Sequence, residues 1–168
     1  MPEQLTHTNT HFTSTGSQIV LLCDGVNSPA NIGGLFRLGD ALGIKEIFFC
    51  GNTINISSVR LKRTSRNTHK SIPFQDGIDI INSITKLSEN GYTPIVLELT
   101  NKSKALEDFN ISEKKPLAVI IGNEKEGVSK RVLEKVDTHL HIEMFGKNSS
   151  MNVTQAAAIG LYTLLKKK

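Results

Sequence analysis

Tryptophan is absent from this chain of 168 residues, and its aromatic side chains are limited to seven phenylalanines and two tyrosines. So few rings argue against a stacking platform for nucleic-acid bases. No apolar run approaches the roughly 20 residues that a membrane helix needs. Residues 1–17 are polar and rich in threonine, so no signal peptide is expected either. These absences predict a soluble, cytoplasmic protein.

Cysteine is also scarce. Cys23 and Cys50 each end a short apolar run, and in a reducing cell two buried thiols are favoured over a disulfide. His7 and His11 stand four residues apart, a spacing that two metal ligands on a helix can share. A frayed polar tail is the favoured interpretation of that segment, and no metal site is predicted.

The composition that remains is that of a globular protein, with 38% apolar and 21% charged residues. We expect a polar lead-in over residues 1–17 and a single domain over residues 18–168. The net charge of +4 favours a polyanionic partner without establishing one.

Short apolar runs alternate with segments of helical periodicity. Gly43 is expected to end the first helix, Ser129 to cap the fourth, and residues 51–75 show no clear period. The pattern predicts an α/β fold, a mostly parallel sheet with helices on both faces. The expected strands are 19–23, 46–50, 93–99, 117–121 and 139–144, and the expected helices are 30–42, 77–90, 129–136 and 153–165.

Three polar segments, at 27–37, 121–129 and 145–156, each follow a predicted strand and lead into a predicted helix. Ligands of parallel sheets bind beyond the carboxyl ends of the strands, so we expect these segments to form one composite site. In the first, Arg37 lies two turns into a mostly apolar helix. An arginine there is costly unless it is paired or functional, and composition alone leaves its role open.

The second segment superficially resembles a P-loop, but Val128 stands where the phosphate-binding lysine is required. A nucleoside triphosphate site is therefore disfavoured. Either the segment is a capped loop, or it lets a ligand approach the backbone, with Glu124 as an anchoring carboxylate.

Five basic side chains fall within residues 60–70. They are consistent with a solvated surface loop or with contacts to the phosphates of a polyanion, and in a chain of this charge we favour phosphate contacts. They are Arg60, Lys62, Arg63, Arg66 and Lys70. The last helix is apolar around most of its circumference, which indicates either a homodimer interface or burial within one chain.

The three polar segments together resemble the SpoU (TrmH) family of RNA ribose 2′-O-methyltransferases, within the SPOUT class. The matching motifs are NIGGLFR at 31–37, IGNEKEGVS at 121–129 and IEMFGKNSSMNVT at 142–154. The resemblance runs from about residue 18 to residue 165. The third motif departs from the family, which usually has Pro at Glu143, Leu at Met151 and Ser at Thr154. Glu143 is the least understood change and either alters the turn or repels an acidic ligand group.

The resemblance implies a C-terminal deep trefoil knot, a homodimer joined through the knot region and the last helix, and S-adenosylmethionine as methyl donor, with no metal. It implies transfer to an RNA ribose, with transfer RNA favoured over ribosomal RNA, and RNA contacts through the basic residues of 60–70. The less favoured alternatives are a non-catalytic RNA-binding protein and a guanine-N1 methyltransferase. The implied cofactor-binding residues are Leu99, Gly122, Ile142, Met144 and Met151.

The resemblance also implies catalytic residues. Arg37 would act at the 2′-hydroxyl. Because a guanidinium stays protonated, we expect Arg37 to orient the hydroxyl while a substrate phosphate takes the proton. Asn31 and Ser150 would position Arg37 or the ribose, Glu124 would anchor a loop or an arginine, and Asn152 would fix the start of the last helix.

Overall fold

Strands and helices alternate along most of the chain in the computed structural model, which describes residues 1–2, 4–5, 10, 16–111 and 115–167. The strands are β1 (Ile19–Asp24), β2 (Glu46–Cys50), β3 (Phe74–Ile78), β4 (Thr93–Leu97), β5 (Lys104–Ala105), β6 (Leu117–Ile121) and β7 (His139–His141). The helices are α1 (Pro29–Leu42), α2 (Val59–Ser65), α3 (Ile80–Glu89), α4 (Lys130–Lys135) and α5 (Val153–Lys167).

The strands form one sheet in the order β3-β2-β1-β6-β4-β7-β5, and every pairing in it is parallel. The central strands β1 and β6 are buried at every position, as expected when both faces of a parallel sheet are covered. Phe36 of α1, Leu61 of α2 and Leu161 of α5 belong to the core on one face. Ile84 of α3 and Val132 of α4 belong to the core on the other. The predicted α/β architecture is confirmed.

The two cysteines lie on opposite faces of this sheet. Cys23 belongs to the core beneath α1 and α5, whereas Cys50 belongs to the core beneath α3 and α4. Both are free, so the prediction of two buried thiols is confirmed. Burial raises the pKa of Cys23 well above its usual range and that of Cys50 to about 12, so neither is a ready nucleophile.

The structure differs from the predicted elements mainly between β2 and α3. Residues 51–75 contain α2 and the first two residues of β3. Neither element shows a usable period, because α2 is two turns long and β3 is a polar edge strand. Helix α3 starts at Ile80 rather than Gly77, since Gly77 has a positive φ of 64° and Asp79 caps the helix by accepting the Asn82 N–H. The two-residue strand β5 escaped prediction, and β4 and β7 end before the predicted boundaries.

The two predicted helix caps had different outcomes. Gly43 ends α1 in the left-handed conformation, as predicted, and its N–H bonds to the carbonyls of Gly39 and Asp40. Ser129 precedes α4, but its hydroxyl makes no capping bond. Instead the Asp24 carboxylate, at the end of β1, accepts the Ser129 N–H at 2.8 Å. A residue distant in sequence therefore holds the start of α4 by accepting the N–H of the cap residue itself.

Most of the predicted lead-in, including His7 and His11, lies outside the described residues. Within the described part of the chain, none of the helices combines the length and apolar character required to cross a bilayer.

Candidate functional site

The three polar segments meet at the carboxyl edge of the sheet, as predicted. The Asn31 side chain donates to Glu124 Oε1 at 2.8 Å, and the Asn152 side chain donates to Asn31 Oδ1 at 3.1 Å. Asn31 lies in the first turn of α1, Glu124 follows β6 and Asn152 precedes α5. We call these three residues the Asn–Glu–Asn network. It joins parts of the chain that are more than 90 residues apart in sequence.

Each member of this network also bonds to neighbouring backbone or side chains. Glu124 Oε1 accepts the Ser28 N–H at 3.2 Å, so this carboxylate holds the loop between β1 and α1. Asn152 Oδ1 accepts the Thr154 N–H at 2.8 Å and thereby caps α5. Thr154 in turn donates its hydroxyl to Asn31 Oδ1 at 3.4 Å. Glu124 therefore anchors a loop, as one expectation had it, and it contacts no arginine.

The segment that carries Glu124 is a tight loop closed by its own backbone. Asn123 and Gly127 exchange N–H···O bonds of 3.0 Å, and Asn123 Oδ1 accepts the N–H groups of Lys125 and Glu126. A Cβ on Gly122 would lie 2.1 Å from the Gly127 carbonyl carbon. The glycine is thus required by backbone packing within the loop. Sequence reasoning missed Asn123, which lies beside the expected anchor.

A cavity of about 490 Å³ opens beside this loop and is called here the cofactor cavity. Its lining includes Glu124 and Ser150, whereas Arg37, Asn31 and Asn152 lie outside it. All five residues that the resemblance implies for the cofactor line this cavity: Leu99, Gly122, Ile142, Met144 and Met151.

Glu98 is a cavity residue that the sequence analysis did not identify. Its Oε1 accepts the Leu99 N–H at 3.0 Å, and its Oε2 accepts the Val128 N–H at 3.1 Å. The carboxylate therefore ties the end of β4 to the loop after β6. Because the Leu99 N–H is occupied, only the carbonyl and side chain of Leu99 are left for a ligand. Glu98 lies near the end of a predicted strand, at the edge where ligands of parallel sheets bind, and this position was the one signal from which the residue could have been predicted.

The far wall of the cofactor cavity is held by two histidines of β7. His141 lines the cavity and its Nδ1 lies 2.9 Å from Ser103 Oγ. The buried His139 bonds through Nδ1 to Thr100 Oγ1 at 3.0 Å and through Nε2 to the Val136 carbonyl at 2.8 Å. These contacts fix the loop between β4 and β5.

Arg37 lies on the exposed surface of α1, so the expected cost of burying it does not arise. Its side chain makes no hydrogen bond or ion pair with the described residues. It follows Gly33 by four residues and Gly34 by three, which places all three on one side of the helix. A Cβ on Gly33 would lie 2.0 Å from Thr64 of α2, and one on Gly34 would lie 2.9 Å from Thr154 of α5. Arg37 therefore emerges near both α2 and α5.

The five predicted RNA-binding residues are carried by α2 and the turn after it, rather than by an irregular loop. All are exposed, and among the described residues none forms an ion pair. Because α2 packs closely on α1 at Gly33, these cations lie on the same side of the molecule as Arg37. The set is Arg60, Lys62, Arg63, Arg66 and Lys70.

Glu143, the unexplained departure in the third motif, is exposed and does not line the cofactor cavity, whereas its neighbours Ile142 and Met144 do. It therefore faces no ligand there, which argues against the interpretation that it repels one. The cavity lining does contain Glu98, Glu124 and Glu126 with a single lysine, Lys125. This acidic balance suits a cationic ligand. No cluster of three potential metal ligands occurs within the described ranges.

Comparison with known proteins gave consistent matches. The profile of the SpoU rRNA Methylase family matches residues 18–162. A Staphylococcus saprophyticus protein assigned to the TrmH family of tRNA/rRNA methyltransferases is 29% identical over 149 residues, which are 89% of this chain and 59% of that protein. The chain thus spans about three-fifths of the length of this curated relative.

Solved structures share the fold. An AdoMet-bound rRNA methyltransferase from Sinorhizobium meliloti superposes with a TM-score of 0.81 at 21% identity, covering 92% of this chain and 58% of that one. A structure described in connection with 2-OH methylation of C/U34 on tRNA has a TM-score of 0.72 at 20% identity and covers 89% of this chain and 95% of that one. At these identities the likeness establishes the fold.

Proposed function

Because the chain belongs to the SpoU rRNA Methylase family, we propose that it transfers a methyl group from S-adenosylmethionine to the 2′-hydroxyl of a ribose in RNA. The observation that carries this proposal is the meeting of Asn31, Glu124 and Asn152 beside the cofactor cavity. Substrate-facing motifs and the expected donor site are thereby brought to one edge of the sheet.

The cofactor cavity fits S-adenosylmethionine in size and chemistry. Its volume of about 490 Å³ lies within the ~300–1,000 Å³ that is usual for small-molecule sites. Leu97, Ile121 and Met151 offer apolar surface for an adenine ring. The carboxylates of Glu98 and Glu124 offer the opposite charge to an ammonium or sulfonium group. The related rRNA methyltransferase of Sinorhizobium meliloti is described as AdoMet-bound, which supports the same assignment.

When bound, S-adenosylmethionine supplies an electrophilic methyl group. The protein must position a ribose 2′-hydroxyl for attack and provide for its deprotonation. We assign to Arg37, which is exposed and has no side-chain partner among the described residues, the role of holding the hydroxyl and an adjacent phosphate oxygen in its guanidinium fork. We assign proton acceptance to that phosphate, since the arginine stays protonated.

The other motif residues support this arrangement in different ways. Glu124 fixes the loop that begins α1, Asn31 links that loop to the start of α5, and Asn152 both caps α5 and bonds to Asn31. We assign them as positioning residues. Ser150 lines the cavity and makes no side-chain hydrogen bond to the described residues, so we assign it to contact the ribose.

We propose transfer RNA as the substrate, with ribosomal RNA as the alternative. The cations of α2 offer phosphate contacts beside Arg37, and such contacts give affinity without strong sequence preference. A structural neighbour of nearly the same length is described with 2-OH methylation of tRNA, and this supports the choice. Two free thiols fit a cytoplasmic setting.

We further propose that the chain forms the trefoil knot and the homodimer of its family. Strand β7 pairs with both β4 and β5, which precede it in sequence, and α5 returns to pack Gly160 against Leu97 of β4. The position of β7 between β4 and β5, followed by the return of α5 to β4, is compatible with a C-terminal segment that is threaded through a knot. Ile159 and Tyr162 of α5 are 43% and 57% exposed, which leaves an apolar stripe for a second copy. Sedimentation of wild type and Ile159→Glu tests the dimer, which the charge should disrupt.

The test of the function is methyl transfer from labelled S-adenosylmethionine to total small RNA and to ribosomal RNA, followed by nucleoside mass analysis. A 2′-O-methylated nucleoside from small RNA is the expected product. A base-methylated nucleoside would replace the proposal with base methylation. If no transfer is detected, calorimetry with S-adenosylmethionine is the deciding measurement. An absence of both cofactor binding and methyl transfer would indicate a non-catalytic RNA-binding protein.

A further inference from the structure

A second cavity, of about 580 Å³, lies on the other side of the loop that lines the cofactor cavity. The two cavities share residues 123–127 and are therefore separated by a single loop. No apolar side chain lines the second cavity, whose residues are all polar or glycine. We call it the amide cavity, because asparagines 27, 31, 52 and 123 contribute to its lining. The proposed function so far gives it no role.

Two of these asparagines are committed to the structure and two are not. Asn31 bonds to Glu124, and Asn123 donates to the Gly25 carbonyl at 2.7 Å. Asn27 makes no hydrogen bond with the described residues. The Asn52 side chain makes one hydrogen bond within the described residues, a donation to the Gly25 carbonyl at 3.4 Å, so its Oδ1 has no partner there. Free amides each present a donor and an acceptor to whatever enters the cavity.

The remaining unpaired groups are at buried positions. Asp24 is only 8% exposed, and while its Oδ2 accepts the Ser129 N–H, no described residue donates to its Oδ1. Ser129 Oγ is the one buried side-chain oxygen or nitrogen without a partner in the part of the chain that the structure describes. Both residues line the amide cavity. Leaving such groups without partners is unfavourable, which points to a ligand that supplies them.

The charge and shape of the lining restrict what that ligand can be. Three carboxylates, those of Asp24, Glu124 and Glu126, against the single Lys125 disfavour a phosphate and favour a group that presents N–H donors. The absence of apolar and aromatic side chains disfavours a hydrocarbon or a stacked ring. A neutral planar group with N–H donors and acceptors along its edge satisfies the carboxylate, the hydroxyl and the amides together.

We propose that the amide cavity receives the nucleobase of the nucleotide that is methylated. The base directs an edge N–H to Asp24 and accepts from Ser129, Asn27 or Asn52. This inference rests on the proposed function, since its ribose then lies over the Asn31–Glu124 contact, between the two cavities. Edge hydrogen bonds, rather than stacking, hold the base.

The first experiment replaces Asp24 by Asn. An amide at this position can still accept the Ser129 N–H through its oxygen, but it presents a donor where the carboxylate presented an acceptor. We expect the KM for RNA to rise about tenfold, as for loss of one buried hydrogen bond, with the Kd for S-adenosylmethionine unchanged. The matched control is Asp76→Asn, because Asp76 also accepts a backbone N–H, from Ile54 at 2.8 Å, but lies outside both cavities.

Ser129→Ala provides a second variant that does not threaten folding. Its hydroxyl has no partner among the described residues, so its removal should leave the thermal midpoint unchanged or raised while the KM for RNA rises roughly fivefold or more. If both Asp24→Asn and Ser129→Ala keep the KM of wild type while wild type methylates ribose, the inference is overturned and the proposed function stands.

A titration independent of methyl transfer completes the test. The four nucleoside 5′-monophosphates, and ribose 5-phosphate as a probe without a base, are added at up to about 10 mM, a range that detects millimolar binding. The expected result is saturable NMR shifts of the Asn27 and Asn52 side-chain amides with one or more nucleotides and none with ribose 5-phosphate. Equal shifts with ribose 5-phosphate, or none with any nucleotide, contradict the inference. A wild type that shows base-dependent shifts but no transfer would retain the inference of a base pocket and remove the proposed reaction.

Discussion

The Asn–Glu–Asn network and Arg37 come from the same sequence motifs but differ in how the fold treats them. Asn31, Glu124 and Asn152 are joined by hydrogen bonds of 2.8 and 3.1 Å. Arg37 lies six residues beyond Asn31 on the same helix, yet it is exposed and makes no side-chain hydrogen bond within the described residues. The three network residues are hydrogen-bonded to one another in the free protein, whereas Arg37 is available to bind substrate.

This difference separates positioning from substrate contact. A hydrogen bond already made within the protein holds loops in place before substrate arrives, which lowers the cost of ordering them later. An unpaired guanidinium gives up no internal partner when it binds a phosphate or hydroxyl. Mutations should therefore affect the two sets through different measurable quantities.

The largest effect is expected at Arg37. Arg37→Ala should lower kcat by roughly 10²–10³-fold, the range for removing one preorganised donor from a reacting oxygen, and leave the affinity for S-adenosylmethionine unchanged. Arg37→Lys should remain strongly impaired, because an ammonium lacks the guanidinium fork. Single-turnover methyl transfer together with cofactor calorimetry measures both quantities. Near-normal turnover of the alanine variant would show that Arg37 does not touch the reacting group.

Glu124 should show the behaviour of an anchor. Glu124→Ala removes the acceptor of both the Asn31 amide and the Ser28 N–H and should cost about tenfold or more in kcat/KM. Glu124→Gln keeps an oxygen acceptor at the same position and should recover most of that loss. If Gln is as poor as Ala, the negative charge itself matters and the role of anchor is wrong.

Asn152 permits stability and activity to be separated at one residue. Asn152→Ala removes the cap of α5 and should lower the free energy of unfolding by about 1 kcal/mol. Asn152→Asp keeps an oxygen for the Thr154 N–H but has no amide to donate to Asn31. We therefore expect the Asp variant to unfold like wild type in urea and to transfer methyl groups more slowly. A loss of stability in both variants, with unchanged transfer, would make Asn152 a structural cap only.

The smallest single effects are expected on α2. Arg63→Gln should weaken RNA binding and reduce the slope of log affinity against log salt by about 0.7–0.9, the value for one phosphate contact. Lys135→Gln, an exposed cation of α4 on the other face of the sheet, is the matched control and should leave the slope unchanged. Filter binding of RNA across a salt series provides the measurement. Equal slopes for both variants would place the RNA elsewhere.

Much of the site was accessible from sequence because its residues fall in local patterns. The polar segments at 27–37, 121–129 and 145–156 interrupt strand-to-helix transitions, and that position alone predicted their meeting at one edge. Glu98 and Asp24 escaped prediction because their places near the ends of predicted strands were the only signal, and nothing local shows that either carboxylate accepts a distant N–H. Ser129 was given a capping role on local grounds, but its hydroxyl makes no capping bond, and Asp24 holds the start of α4 by accepting the Ser129 N–H.

The sequence by itself determined the alternation of strands and helices, the two-sided burial of the sheet and the edge at which the polar segments meet, because hydrophobic periodicity and strand direction are local properties. Only the tertiary structure decided which side chains pair across that edge. It committed Asn31, Glu124 and Asn152 to one another, left Arg37 exposed and enclosed Asp24 and Ser129 beside a second cavity. Those outcomes depend on contacts between residues about a hundred positions apart, whose distances no local pattern encodes.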